Sequence, residues 1–212
     1  MIEIRPLRPE DVGEVVELHD RTFPRKLSPR SGGRFLRRLV ARSRRSGARP
    51  APPWTLVAAD GEQVAGFVTF QPLGGEATSQ HGVGDLLALA QESVRLGTTV
   101  TPDLELGRVT RVWEVFENAL TRGDFTAHPG DGYVSMLAVT SIARGRGIGQ
   151  ALLDRVVAQV LGTRATGVWL HCWEGKAARG FYEHLGFVPV VRFGPHYDDD
   201  SPATLMVLPL GR

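Results

Sequence analysis

Cysteine is almost absent from this chain. Cys172 is the single one in 212 residues, so no internal disulfide can form and stability must come from the core, for which 42% hydrophobic residues suffice. A lone thiol fits a reducing compartment, and a cytoplasmic location is expected. No apolar run approaches the roughly 20 residues of a membrane-spanning helix, and the N-terminus lacks the charged-then-apolar pattern of a secretion signal. No membrane partner is therefore expected. Lysine is scarce as well: of 25 Lys and Arg, only Lys26 and Lys176 are lysine. That leaves no Lys-Ser/Thr pair to complete a P-loop. The arginine excess reads as genome bias rather than function.

What is present is concentrated around Arg144-Gly145-Arg146-Gly147-Ile148-Gly149. This run lies between an apolar stretch at 133–139 and a stretch of helical periodicity at 150–161. A strand that turns through glycines into a helix leaves several N–H groups pointing one way, and the helix dipole adds partial positive charge. Glycine also lets main chain approach an anion unobstructed. The turn is thus a candidate phosphate site. It is not a dinucleotide fingerprint, because counting from Gly147 and Gly149 the third glycine position holds Leu152. What remains is Arg-x-x-Gly-x-Gly at Arg144, Gly147 and Gly149, which alone is equally well a tight strand-to-helix connection.

A second motif adds specificity. A strand-like stretch at 167–173 is followed by Ala177-Ala178-Arg179-Gly180-Phe181-Tyr182-Glu183-His184-Leu185-Gly186-Phe187. Together with Leu137-Ala138-Val139 and the glycine turn, this order of strand, turn, helix, strand and Tyr-bearing helix resembles the GNAT superfamily of N-acetyltransferases. The close resemblance covers 133–188. It implies one α/β domain over 1–212: the GNAT fold, a central twisted mixed β-sheet flanked by helices, from which this chain departs by a helical insertion between the third and fourth strands at about 73–132. It also implies acetyl-CoA as acyl donor, with the pantetheine along the backbone of Leu137, Ala138 and Val139. The pyrophosphate would then sit on Arg144, Gly145, Arg146, Gly147, Ile148 and Gly149.

The reaction so implied is acetyl transfer to an amine by direct attack. It requires a neutral amine, a polarised carbonyl and an acid for the departing thiolate. A backbone N–H within 137–139 would stabilise the oxyanion. Tyr182 occupies the family's tyrosine position and is the expected acid; the plain alternative is a core residue beside Phe181. No carboxylate lies within 133–139 to act as base. His171, on a face with Trp169 and Trp173, is one candidate; His81, His128, Asp131 and a water chain are others. The asparagine that relatives often carry before the tyrosine helix is replaced here by Glu174 or Gly175. His196 with Asp198, Asp199 and Asp200 suggests a metal cluster, but Gly194, Pro195, Ser201 and Pro202 around it indicate a polar turn, and no metal is expected. A small-molecule amine is the favoured acceptor. A protein or peptide amine, or a non-catalytic coenzyme A-binding module, are the alternatives.

Elsewhere, 2–5 reads as a strand, and Pro9-Glu10-Asp11 opens a helix with Val12, Val15, Val16 and His19 on one side. Strands at 54–59 and 63–70 are joined by the turn dipeptide Asp60-Gly61. The run 133–139 is apolar enough for a strand buried on both faces. Ile148, Leu152, Val156 and Val160 form one side of a helix ending at Gly162, and 188–193 and 204–208 are the last strands. The 73–132 stretch is too long for a structureless loop. Within it, 85–96 closes at Gly97, and Val109, Val112, Trp113, Phe116 and Leu120 mark a helix closing at Gly123. This insertion is expected to cap the acceptor site or to form a subunit contact such as a homodimer's, with a solvent-side decoration as the plain alternative. Finally, ten basic residues lie between Arg25 and Arg49 with no acid among them. Phe35, Leu36, Leu39 and Val40 at helical spacing would dock this segment with its arginines in water. Phe35 is its lone aromatic, so a nucleic-acid partner is disfavoured.

Overall fold

The apolar runs become strands of a single mixed sheet, seen in a computed structural model that describes residues 2–23, 54–73, 127–128, 130–161, 164–173, 178–193 and 203–211. In chain order these are β1 (Ile2–Pro6), α1 (Val12–Thr22), β2 (Trp54–Asp60), β3 (Gln63–Pro72), β4 (Gly132–Val139), α2 (Ile148–Leu161), β5 (Gly167–Trp173), α3 (Ala178–His184), β6 (Val188–Phe193) and β7 (Ala203–Pro209). The seven strands lie in the order β1-β2-β3-β4-β5-β7-β6. β4 and β5 pair parallel and all other neighbours antiparallel. The helices expected at 85–96 and 109–120, the basic segment 25–49, Glu174 and Gly175, and the turn with His196 lie outside the described residues, as does His81.

Periodicity decides which face each element covers. Leu152 and Val156 of α2, with Tyr182 of α3, bury one face against Leu56, Val68, Phe70, Val134, Val168 and Leu170. The opposite face receives Val15 and Leu18 of α1 on Val57, Phe67 and Ala138. Further along that face, Leu73, Trp169, Leu205 and Val207 form a third cluster, with Tyr133 against it. The α1 helix is pinned at its start: the buried Arg5 guanidinium donates to both Asp11 oxygens at 2.6 and 2.8 Å, and the Arg8 amide donates to Asp11 at 2.7 Å. Glu14 then accepts from the Val64 amide at 2.7 Å, tying the helix to β3.

Two expectations are corrected. The β2–β3 turn consists of Gly61 and Glu62, because Asp60 still pairs with Gln63; Gly61, at φ +64°, takes the first loop position. More important, β4 is not buried on both faces. Ser135 is exposed, and Met136, Leu137 and Val139 are half-buried. The register against β3 explains this: Thr69 faces Met136 but Phe70 faces Val134, so Ser135 is an extra residue. Such a bulge bends a strand and disrupts its pairing. The Ser135 hydroxyl donates to the Thr69 carbonyl at 3.1 Å, which holds the bulge in place. Among the described residues, no helix is long and apolar enough to cross a membrane.

Candidate active site

The bulge falls where β4 leaves β5. β4 pairs with β5 only at Gly132, Tyr133 and Val134, whereas its pairing with β3 continues to Val139. The two parallel strands therefore part after Val134, and the β5-facing edge of residues 135–139 borders a fork. Leu137, Ala138 and Val139 all lie along this parted stretch. From Val134 to Val139 the edge runs about 17 Å at roughly 3.3 Å per residue, a length suited to an extended pantetheine arm. On the β3 side Gly66 permits the close approach of β4, since a Cβ there would lie 2.8 Å from the Ala138 carbonyl.

Beyond the open end of the fork the chain reaches the glycine turn. Gly145 and Gly147 both have φ +76°, a conformation that glycine adopts at little cost and most other residues do not. Open space surrounds the missing Cβ of each. Arg144, Gly145, Arg146 and Gly147 are all exposed. The first intrahelical bond runs from the Ala151 amide to the Gly147 carbonyl at 2.9 Å, so the amides of Ile148, Gly149 and Gln150 have no acceptor inside α2. Gly149 has a packing role as well: its missing Cβ would lie 3.0 Å from the Phe181 ring. The two arginines are differently engaged. Arg144 Nε donates to the Val139 carbonyl at 3.3 Å, and Arg146 pairs with Asp60 at 3.2 Å from the β2–β3 hairpin.

At the closed end of the fork, Tyr133 Oη and His171 Nδ1 are 3.0 Å apart, with their rings edge-on at a centroid distance of 6.0 Å. If His171 donates its Nδ1 proton to the tyrosine oxygen, the lone pair lies on Nε2. His171 was one of several candidate bases. Tyr133 was passed over, although a polar aromatic opening an otherwise apolar strand was a signal to be read. Of the other candidates, His128 is exposed. Asp131 is not a base: it is fully buried and accepts from the amides of His128, Thr166 and Gly167, the Thr166 hydroxyl and the Trp169 indole.

Tyr182 lies on the other face, in the core cluster with Cys172, its ring 5.3 Å from that of Phe181 and 5.6 Å from that of Phe187. Burial pushes its phenol above the ordinary value, and the nearby Cys172 adds to this. It therefore stays protonated at neutral pH, as a proton donor must. Because His171 and Cys172 are adjacent on β5, their side chains point to opposite faces. The two candidate groups thus flank the fork from opposite sides.

Comparison with known proteins agrees with this architecture. Residues 111–189 match the acetyltransferase (GNAT) domain family. That segment is similar to a GNAT domain. Arabidopsis thaliana NAA60 in complex with acetyl-CoA superposes with a TM-score of 0.60 at 20% identity, over 99% of each chain. A chain of the NatC complex bound to Gag peptide and CoA does so with a TM-score of 0.58 at 18% identity, again over 99% of each. In sequence, the chain is 28% identical to N-alpha-acetyltransferase 30 of Saccharomyces cerevisiae over 111 residues, which is 52% of this chain and 58% of that protein. The parted β4–β5 pair and the glycine turn both lie within the matched 111–189 segment.

Proposed function

We propose that the protein transfers the acetyl group of acetyl-CoA to the α-amino group of a protein or peptide. The observation that carries acetyl transfer is the fork itself: a parted β4–β5 pair leading from exposed helix-start amides to a Tyr133–His171 pair. Leu137, Ala138 and Val139 would hold the pantetheine, and residues 144–149 the pyrophosphate. His171, its tautomer set by Tyr133, takes a proton from the attacking amine. The amine nitrogen bonds to the acetyl carbon while a β4 amide stabilises the oxyanion. The C–S bond then breaks, and Tyr182 protonates the thiolate from the opposite face.

The acceptor proposed here departs from the small-molecule amine that the sequence alone favours. Two similar proteins are described by an N-alpha-acetyltransferase name and by a bound Gag peptide. Acid–base chemistry points the same way. Among the described residues, the closed end of the fork offers a histidine but no carboxylate with oxygens to spare. Such a site suits an amine already partly neutral near pH 7.5, as α-amino groups are with pKa values of about 7.7–8.0, against about 10.4 for lysine. The same proposal treats 1–212 as one domain with an insertion at about 73–132. That segment leaves and returns at one point, since the Leu73 amide donates to the Asp131 carbonyl at 2.7 Å, two residues from Tyr133. A cytoplasmic location agrees with the lone buried Cys172.

The test is thiol release from acetyl-CoA with three acceptor sets: peptides with free N-termini, the same peptides N-terminally blocked but containing lysine, and small primary amines. Turnover should require the free N-terminus. Turnover on small amines alone would overturn the acceptor assignment, and none on any amine would overturn the enzyme.

A further inference from the structure

Asp131 has no part in the chemistry described above, yet it is the most heavily bonded carboxylate among the described residues. It is fully buried. One oxygen accepts from the Thr166 amide at 2.5 Å and the Gly167 amide at 3.0 Å. The other accepts from the Trp169 indole Nε1 at 2.9 Å and the His128 amide at 3.0 Å. The Thr166 hydroxyl lies within 3.2 and 3.3 Å of the two. Burying a carboxylate among neutral donors is costly, and apolar residues usually cover a strand junction as well. The arrangement calls for a purpose beyond covering the junction.

The geometry points to Asp131 as a positioning residue that, by holding the start of β5 and the Trp169 indole, sets the Tyr133–His171 pair. This assignment rests on the acetyl-transfer reading. Trp169 is opposite Tyr133 in the parallel register and two residues before His171 on the same face of β5. Its ring is buried in the cluster against which Tyr133 packs. A fixed indole therefore limits where the Tyr133 ring can lie, and so how it meets the imidazole. Gly167 makes room for this contact: a Cβ there would lie 3.3 Å from the indole nitrogen and 2.9 Å from Val207. An aspartate fits where an asparagine does not. Every neighbour is a donor, and an amide NH2 would turn one donor toward another.

The experiment compares Asp131→Asn, Trp169→Phe and Tyr133→Phe in the full chain, by steady-state kinetics with a free-N-terminus peptide and by NMR of the His171 imidazole. Asp131→Asn and Trp169→Phe should each lower kcat at least ~10-fold, as expected for a misplaced base. KM for acetyl-CoA should stay within about twofold, because the glycine turn is untouched. Their imidazole signals should shift in the same sense as in Tyr133→Phe. Cooperatively folded variants with wild-type kcat and unmoved imidazole signals would overturn the inference. If Asp131→Asn does not fold, Trp169→Phe alone decides: unmoved signals there refute it. The NMR readout needs no turnover, so a wild-type protein inactive on every amine sinks the acetyl-transfer reading while the role of Asp131 in setting the pair is still measured.

Discussion

Replacing Gly147 separates backbone strain from ligand obstruction. Gly147 sits at φ +76°, where an L-residue costs about 1–2 kcal/mol. Nothing lies within 4 Å of its missing Cβ, so Gly147→Ala adds strain and no clash in the free protein. At about 2–4 °C per kcal/mol for a chain of this size, the melting temperature should fall by about 2–8 °C. Asparagine tolerates the left-handed region better, so Gly147→Asn should melt close to wild type. Both variants nevertheless put a side chain into the space through which a pyrophosphate would reach the amides of Ile148 to Gln150. Losing one charge-assisted hydrogen bond there costs about 1.5–3 kcal/mol, a fall in acetyl-CoA affinity of about tenfold to a hundredfold. Thermal melts without ligand and calorimetric titration with acetyl-CoA read the two effects separately. A Gly147→Asn protein that binds acetyl-CoA as tightly as wild type would refute the phosphate role of this turn.

Three further outcomes follow from single contacts. Burial alone would raise the Asp11 carboxyl, but the Arg5 guanidinium and the Arg8 amide more than offset this and hold it below its ordinary value. Its stabilisation is therefore complete above the unfolded carboxylate range near pH ~4 and is lost as pH falls through the lower folded value. Denaturant melts across acid pH should show this limb flattened in Asp11→Asn, and Asp11→Ala should lose about 3–5 kcal/mol at neutral pH by stranding Arg5; an unchanged acid profile would disprove it. Gly66→Ala forces main chain apart at the Ala138 carbonyl, so it should cost about 1–3 kcal/mol and weaken acetyl-CoA binding. Normal affinity there would move the pantetheine away from β4. Tyr182→Phe keeps the ring between Phe181 and Phe187, so the fold should survive while kcat drops by about 10²-fold or more; full activity would leave Tyr182 a core residue. The raised Tyr182 phenol should also support stability below its ordinary pKa of about 10 and lose that support as pH rises beyond it.

The order of elements was legible because each carries its own local signal. Val12, Val15 and His19 mark α1, the four-residue spacing of Ile148, Leu152, Val156 and Val160 marks α2, and the glycines mark the turn between β4 and α2. The fork was not legible. Residues 133–139 look like a continuous buried strand because apolar content does not reveal pairing, and a bulge at Ser135 depends on Thr69 and Phe70 more than sixty residues earlier. Asp131 was equally opaque: a lone acid before a strand looks like a solvated turn until Thr166, Gly167 and Trp169 arrive around it. The Tyr133–His171 contact needed the parallel register of two strands 38 residues apart, which sequence periodicity does not supply. Tyr182 was singled out by motif position, and its burial is a separate observation that keeps its phenol protonated.

The division of labour across the sheet depends on that register. Side chains alternate with a period of two, so a one-residue slip of β5 would send Cys172 to the face of Tyr133 and turn His171 into the core beside Tyr182. Only three residue pairs tie β4 to β5, too few to fix register by ladder bonds alone once the bulge has ended the pairing. On one side β5 is held by seven antiparallel pairs with β7, from Gly167 to Trp173. On the other side the Asp131 carboxylate grips the Thr166 and Gly167 amides at the strand's first residues. Between β4 and β5 themselves the register can be fixed only where the two strands still pair, and that is where the buried carboxylate lies.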